Sequence, residues 1–254
     1  GTALFKQYIW ASGNSGFALT GVGRNPQEYP TVSIENGIDG SRAIKLETKS
    51  TGQFGETVKM PIAAGNLFLG SFDVNNAVQK PLKATRFGLP FGKKPLQLKG
   101  YYKYTPGTQP FKAKDKNGNT VTIPGQEDEG DIYAVLYEAA ELDGKALDGN
   151  NVLTSENIVA LARVEVEKKD EFTAFHVDFH YGSRIPIDWP KFIQDQRDPS
   201  DDGTAPYLSF SEEKMKNYEY NLAVVFTSSK YGAYFAGSVG STLCIDKVEI
   251  VCEK

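Results

Sequence analysis

The two histidines of the chain, His176 and His180, lie in one stretch where polar and apolar residues alternate. His176 and Asp178 form a His-x-Asp pair, which on a strand is part of the facial triad that binds non-haem iron. That triad needs a second histidine nearby, whereas four strand positions separate the Cα atoms of His176 and His180 by about 13 Å. We therefore predict no metal site and no cofactor, and we expect a polar strand face here.

Carboxylates are the other residues that could do chemistry, because a glycosidase needs only two of them on either side of the scissile bond. Glu165 and Glu167 share a strand face about 6.6 Å apart at Cα, but alternating valine and glutamate is more typical of a solvated sheet edge. The acidic run at 127–129 reads as a solvated loop. The GxSxG, P-loop and HExxH motifs are absent. No catalytic residue is assigned.

A better candidate for a site is the stretch 131–138, which alternates between two faces. Its small aliphatic side chains, such as Ala134, are predicted to face the core, and its polar and tyrosine side chains face away. If this strand lies beside residues 221–229, further groups join that second face. The predicted ligand-binding set is Arg86, Asp131, Tyr133, Tyr137, Thr227, Ser229, Tyr234 and Phe235.

This set combines aromatic rings with fixed polar groups, which suits a ligand that has apolar faces rimmed by hydroxyls. In this arrangement Arg86 reaches over the face from its loop, and Tyr234 and Phe235 wall one side. A second interpretation stays open. The tyrosines could simply cover another hydrophobic layer, with Arg86 in a structural ion pair.

The elements that must position these residues are strands, and the clearest is the last one, at 241–251. Leu243 and Ile245 share one face by period two, but the next apolar residue, Val248, falls on the opposite parity. A phase slip of one position is how a β-bulge appears in a sequence. We predict a bulge at Asp246-Lys247 in a closing strand that pairs with early strands.

Other segments complete the predicted fold. Strands are predicted at 43–48, 96–104, 158–162, 175–181 and 222–226. Residues 228–240 are predicted to form a glycine-rich and aromatic hairpin, and 188–217 an insert with a short helix or irregular structure. No linker or repeat interrupts the series, so we predict one domain over 1–254. The predicted fold is all-β, a jelly-roll sandwich of two antiparallel sheets with short helical inserts.

Composition and charge narrow the function. The 254 residues are 40% hydrophobic and carry a net charge of -4, which supports a core and makes nucleic acid an improbable partner. No run of 18 apolar residues is present, so no transmembrane segment is predicted. Cys244 and Cys252, eight positions apart on one strand, would lie about 26 Å apart, too far for a disulfide.

Five short strings together resemble a known family. They are LKATRFG at 82–88, KGYYKY at 99–104, DIYAV at 131–135, NVLTS at 151–155 and VGSTL at 239–243. The chain resembles the putative carbohydrate metabolism domain family of secreted or surface lipoproteins from glycan-degrading gut bacteria. The resemblance covers about 43–251.

This resemblance implies a jelly roll with a glycan pocket, similar to sugar-binding modules and some glycoside hydrolases. It implies an oligosaccharide or polysaccharide partner and a location outside the cytoplasm, in the bacterial periplasm or at the outer-membrane surface. It also implies a parent protein with an additional N-terminal domain. It transfers no catalytic residue.

The predicted function is non-catalytic glycan binding in a pocket on one sheet face. One alternative is a glycoside hydrolase or lyase that uses paired carboxylates in the same pocket, and another is a structural or adhesin module. Two carboxylates converging in one cleft would indicate the hydrolase. An aromatic floor without that pair would indicate the binding module, and neither feature would indicate the adhesin.

Overall fold

The structure is a computed structural model that describes residues 9–139, 146–198 and 203–254. The strands are β1 (Trp10–Ala11), β2 (Thr31–Ile34), β3 (Ala43–Glu47), β4 (Lys49–Ser50), β5 (Ile62–Ala63), β6 (Asn66–Phe72), β7 (Thr85–Phe87), β8 (Leu89–Pro90), β9 (Pro95–Thr105), β10 (Lys112–Lys114), β11 (Thr120–Thr122), β12 (Asp131–Glu138), β13 (Ile158–Val164), β14 (Lys169–Asp178), β15 (His180–Tyr181), β16 (Tyr220–Thr227) and β17 (Thr242–Cys252). The α-helices are α1 (Asn14–Ala18), α2 (Gly52–Thr57), α3 (Lys191–Gln194) and α4 (Glu212–Lys216). None of the helices in these ranges is long and apolar enough to cross a membrane.

Most strands belong to two sheets. The larger sheet has the order β1-β6-β16-β12-β13-β15, with β7 beside β6 and β8 beside β16. The smaller sheet has the order β14-β9-β17-β3-β2. Neighbouring strands pair antiparallel, and β17 lies between β3 and β9. The predicted all-β sandwich of two antiparallel sheets with short helical inserts is confirmed.

The main core lies between the two sheets. Ile132, Ala134 and Leu136 of β12 are fully buried there, as their alternation predicted. They belong to one cluster with Leu98 of β9 and Leu243 of β17. Because burial of one leucine or isoleucine stabilises a fold by about 2 kcal/mol, this shared cluster holds the layers together.

The opposite face of β12 is also buried, but by a different set of residues. Tyr133 and Tyr137 join a second apolar cluster that Leu147, Leu153 and Tyr207 cover. These covering residues come from the connections that follow β12 and β15, not from the smaller sheet. The tyrosines therefore lie on the face predicted for them, beneath a third layer of loops.

The predicted bulge is present in β17. Asp246 pairs with Tyr101 and Glu249 with Lys99, so three steps on β17 match two on β9. Lys247 is the extra residue and has φ 47°, in the left-handed region. Cys244 and Cys252 lie near the two ends of β17, and both are free.

The bulge is anchored by the buried carboxylate of Asp246. It accepts hydrogen bonds from the backbone amides of Ile38 and Lys247, each at 2.7 Å, and from the Ser41 hydroxyl. Burial alone would raise the pKa of Asp246, but these hydrogen bonds lower it below its ordinary value. The bulge thus fixes the turn before β3 to the closing strand.

The segment 228–240 is not the hairpin predicted from its composition. It begins after β16 in the larger sheet and ends before β17 in the smaller one, so it crosses between the layers. It contains a 3₁₀ turn at Gly232–Tyr234, followed by Phe235 with φ 57°. Glycine and aromatic residues suit either connection, and the long-range pairing of the flanking strands decides between them. We call residues 228–240 the crossover segment.

The acidic run before β12 is also not simply a solvated loop, because Asp128 is only 2% exposed. Its Oδ2 atom accepts hydrogen bonds from the Ser229 hydroxyl (2.6 Å), the Ser241 hydroxyl (2.7 Å) and the Ser238 amide (2.8 Å). Burial raises the pKa of Asp128 to about 6 even though these hydrogen bonds lower it. Asp128 therefore binds both ends of the crossover segment.

Candidate functional site

A cleft of about 210 Å³ opens on the outer face of the larger sheet. Its floor includes a polar row that crosses three neighbouring strands. Asp131 of β12 pairs with Thr227 of β16, which pairs with Asn66 of β6. Since adjacent strands are about 4.8 Å apart, these side chains stand next to one another along the floor.

The next row of the floor is apolar. It lies two residues further along each strand, on the same face of the sheet. In this row Tyr133 pairs with Val225, and Val225 pairs with Phe68. Aromatic side chains from several segments form the walls. They are Phe17, Phe54, Phe72, Phe87, Trp189, Tyr234 and Phe235. The cleft therefore has a polar strip at one end of a largely aromatic cavity.

Asp131 is held in an ion pair with Arg163 of β13. Its Oδ1 accepts from Arg163 Nε at 2.9 Å and its Oδ2 from Nη2 at 2.7 Å. The side chain of Asp131 is 4% exposed and that of Arg163 19%. Burial alone would lower the pKa of Arg163, but the charge of Asp131 raises it above its ordinary value. Both carboxylate oxygens are therefore engaged by one guanidinium.

A second arginine lies against an aromatic wall of the cleft. The guanidinium of Arg197 is 4.2 Å from the centre of the Trp189 ring, within cation–π distance. Its Nη1 donates a hydrogen bond to the Tyr234 hydroxyl at 2.7 Å. Trp189 Nε1 is buried without a hydrogen-bond acceptor among the residues that the structure describes. These contacts join the insert after β15 to the crossover segment.

The structure brings five of the eight predicted ligand-binding residues to the cleft. They are Asp131, Tyr133, Thr227, Tyr234 and Phe235. Asp131, Tyr133 and Thr227 reach it because β12 lies beside β16, as the prediction assumed. Tyr234 and Phe235 reach it as a wall, although the connection that carries them crosses between the sheets.

The other three predicted residues lie outside the cleft. Arg86 is on β7, where it donates to Asp73 at 2.9 Å with a side chain 57% exposed, which is the structural ion pair of the second interpretation. Tyr137 is fully buried at the far end of β12, and its hydroxyl donates to the Phe87 carbonyl. Ser229 is fully buried, and its hydroxyl donates to Asp128.

Several cleft residues were missed by sequence reasoning. Arg163 had a detectable signal, since it is the single charged residue in the apolar strand β13 and Asp131 is the charged residue at the start of β12. The sequence contains no such signal for Trp189 and Arg197, because polar and apolar residues do not alternate regularly in the insert that carries them. Lys230 lies in the crossover segment, directly after Ser229, which was predicted to bind the ligand.

Both histidines are exposed, but the single strand predicted at 175–181 is divided between the two sheets. His176 lies on β14 of the smaller sheet and His180 on β15 of the larger one. His180 Nε2 contacts the Ser183 hydroxyl at 3.2 Å. Across the described ranges, no group of three or more histidine, cysteine, aspartate or glutamate side chains is arranged to hold a metal ion.

Comparison with known proteins agrees with the resemblance seen in the sequence. The profile of the family described as "Putative carbohydrate metabolism domain" matches residues 2–251. A solved structure described as a putative glycoside hydrolase from Bacteroides thetaiotaomicron VPI-5482 is 43% identical, with a TM-score of 0.79 over 96% of this chain. This chain spans 63% of the length of that protein.

A second structure, described as a putative glycoside hydrolase from Bacteroides vulgatus ATCC 8482, is 37% identical with a TM-score of 0.77. It covers 100% of this chain, which spans 89% of its length. A family 11 carbohydrate-binding module from Clostridium thermocellum is 8% identical, with a TM-score of 0.39, over 98% of this chain and 91% of its own. A search of curated proteins gives no match. The profile match and the two Bacteroides structures together show that the chain belongs to the putative carbohydrate metabolism domain family.

Proposed function

We propose that this carbohydrate-related domain binds an oligosaccharide or polysaccharide in the cleft without cleaving it. The observation that carries the proposal is the state of Asp131. It is the one carboxylate among the described residues that line the cleft, and both of its oxygens accept hydrogen bonds from Arg163. A carboxylate held in this way is poorly placed to donate a proton or to attack an anomeric carbon.

The same cleft has the groups that sugar binding requires. Pyranose rings have apolar faces that pack on aromatic side chains, and hydroxyls that need polar partners. Phe235 and Tyr234 supply ring surfaces on one wall, and Asn66, Thr227 and the Asp131–Arg163 pair supply polar groups on the floor. A structural or adhesin module needs neither feature, so the cleft favours a ligand site.

Glycan cleavage is the rival function, and one observation favours it. The two Bacteroides relatives are both described as putative glycoside hydrolases. Retention would require a second carboxylate about 5 Å from Asp131, and inversion one about 6.5–9.5 Å away. The described lining supplies no such residue.

The proposal is tested by measuring binding and turnover on the same glycan panel. Binding to soluble polysaccharides is followed by affinity electrophoresis and calorimetry, and turnover by the release of reducing ends. We expect Phe235→Ala to weaken binding of the best ligand about two- to tenfold, because one stacked ring contributes about 0.5–1.5 kcal/mol beyond burial.

Tyr101→Ala is the matched control. Tyr101 is a half-buried aromatic residue on the outer face of the smaller sheet, away from the cleft. Binding should be unchanged in this variant. Turnover that a carboxylate substitution abolishes would establish the hydrolase instead, and loss of binding in Tyr101→Ala would place the site on the other sheet.

We also propose that residues 1–254 form one folding unit of a larger protein that acts outside the cytoplasm, in the periplasm or at the outer-membrane surface. The shared core between the sheets supports the single unit. The greater length of the B. thetaiotaomicron relative supports a longer parent protein, in which we propose an additional N-terminal domain. Limited proteolysis and fractionation of cells that produce the parent protein test these two points.

A further inference from the structure

The charges around the cleft differ in sign from the charge of the whole chain. The chain has a net charge of -4, yet the described lining has the cations Arg163, Arg197 and Lys230 against the single carboxylate of Asp131. Arg163 is neutralised by Asp131, and Lys230 is paired with Glu129 at 2.8 Å. Arg197 contacts the Trp189 ring and donates to the Tyr234 hydroxyl. Further lysines lie next to the lining residues, outside these contacts.

Two lysines adjoin residues that line one side of the cleft. Lys114, at the end of β10, places its Nζ 4.5 Å from the centre of the Phe235 ring, which lines the cleft. Lys59 lies between two lining residues, Val58 and Met60. Lys114 is half-buried and Lys59 is exposed. We call Lys59 and Lys114 the rim lysines.

The rim lysines are close enough to repel each other. Lys59 Nζ contacts the Asn117 carbonyl and Asn119 Oδ1, both at 3.4 Å, in the turn of the β10–β11 hairpin that also carries Lys114. Burial, and after it the charge of Lys59, lowers the pKa of Lys114. A partly desolvated ammonium group next to a second cation is a favourable place for an anion.

The nearby carboxylates are engaged elsewhere. Glu56 pairs with Lys112 at 2.6 Å. Asp115 accepts hydrogen bonds from the backbone amides of Asn117 and Asn119 at 2.8 Å each. These hydrogen bonds, and to a smaller extent the charge of Lys59, lower the pKa of Asp115. In the part of the chain that the structure describes, neither rim lysine makes an ion pair within 4.0 Å. An external anion is therefore free to bind them.

We propose that the rim lysines bind the charged group of an acidic sugar, a pyranose with a carboxylate or a sulfate ester, whose ring packs against Phe235. This inference rests on the proposed glycan binding and names the class of sugar. Aromatic ring and ammonium groups are adjacent here, so one residue of the glycan contacts both. A neutral sugar would occupy the ring surface without supplying an opposite charge to the two ammonium groups.

The test compares polymers that differ only in charge. Polygalacturonate is compared with its fully methyl-esterified form for carboxylates, and dextran sulfate with dextran for sulfates, each by calorimetry. We expect one charged polymer to bind at least about tenfold tighter than its neutral match, since a hydrogen bond to a charged group contributes about one to two factors of ten. Raising salt from about 50 to about 500 mM shortens the Debye length about threefold and should remove most of this preference.

Lys114→Met and Lys59→Met should each reduce the preference, Lys114→Met by about tenfold, and leave binding of the neutral polymer within about twofold. Lys116→Met is the matched control. Lys116 is an exposed lysine in the turn of the same hairpin and, among the contacts of the described residues, it has none with the Phe235 ring, which Lys114 contacts. If Lys116→Met reduced the preference for the charged polymer equally, the preference would come from the general positive charge of the hairpin, and the assigned site would be wrong. Binding of neutral glycans with no preference for either charged polymer would overturn this inference and leave the proposed function standing, whereas no binding to any glycan would overturn both.

Discussion

The ion pair between Asp131 and Arg163 gives the sharpest prediction, because Asp131 is buried at the floor of the cleft and Arg163 is only partly exposed. Replacing Arg163 by methionine removes the guanidinium and keeps much of its apolar stem. The carboxylate of Asp131, with a side chain 4% exposed, would then lose both of its hydrogen bonds from Arg163. Breaking a buried pair in this way costs about 3–5 kcal/mol, since one charge stays behind unpaired.

Removing both charges should cost much less. In Asp131→Asn with Arg163→Met no buried charge is left, and the uncharged amide has a smaller desolvation penalty. We expect the double variant to lose only about 1–2 kcal/mol, so Arg163→Met and the double variant should differ by about 2–3 kcal/mol. The coupling energy is this difference plus the loss in Asp131→Asn, and is therefore at least about 2–3 kcal/mol. This value is several times that of an exposed ion pair.

The assay is urea unfolding at pH 7 of the wild type, both single variants and the double variant, followed by tyrosine fluorescence and circular dichroism. The exposed pair of Arg86 and Asp73 is the control cycle, with a coupling energy expected below about 1 kcal/mol. Additive losses at Asp131 and Arg163 would refute the reasoning, because they would mean that the two side chains stabilise the fold independently.

Two further predictions concern Asp128 and the bulge. Because the pKa of Asp128 is raised to about 6 in the folded protein, folding favours its protonated form. The free energy of unfolding relative to an Asp128→Asn variant should therefore fall by about 2 kcal/mol as pH rises from about 4 to about 7, and equal pH profiles would contradict this. At position 247, where φ is 47°, Lys247→Gly should be about 1 kcal/mol more stable than Lys247→Ala in thermal unfolding. Both variants lose the ion pair with Asp39, so the difference in their stability reports the cost of the left-handed backbone conformation alone. Equal stability of the two variants would show that this conformation is not strained.

Local patterns predicted the parts of the fold that depend on one strand. The two faces of β12 and the bulge at Asp246-Lys247 follow from alternation and its phase, and both are observed. The crossover segment was predicted as a hairpin because composition does not say whether the next strand belongs to the same sheet. Asp128 was predicted to be solvated. Its burial depends on hydrogen bonds from three serines about 100 positions further along the chain, and a local pattern cannot show these contacts.

The same distinction holds for the candidate site, where residues placed by strand pairing were predicted and residues whose surroundings depend on loops were not. Asp131, Tyr133 and Thr227 were found because strand pairing carries them to one face. Tyr137 lies on that face too, yet its depth depends on loops that cover the far end of the strand, and loop packing leaves no period in the sequence. Arg163 could have been paired with Asp131 by asking which cation would neutralise a charge in a buried strand.

The crossover segment has a thermodynamic consequence for binding. Tyr234 and Phe235 stand between hydrogen bonds that Asp128 makes to Ser229 on one side and to Ser238 on the other. The wall is therefore preformed, and a ligand loses little affinity to ordering it. Occupancy should then raise the melting temperature of the entire sandwich in proportion to RT ln(1 + [L]/Kd), which makes thermal shift a direct screen for the sugar.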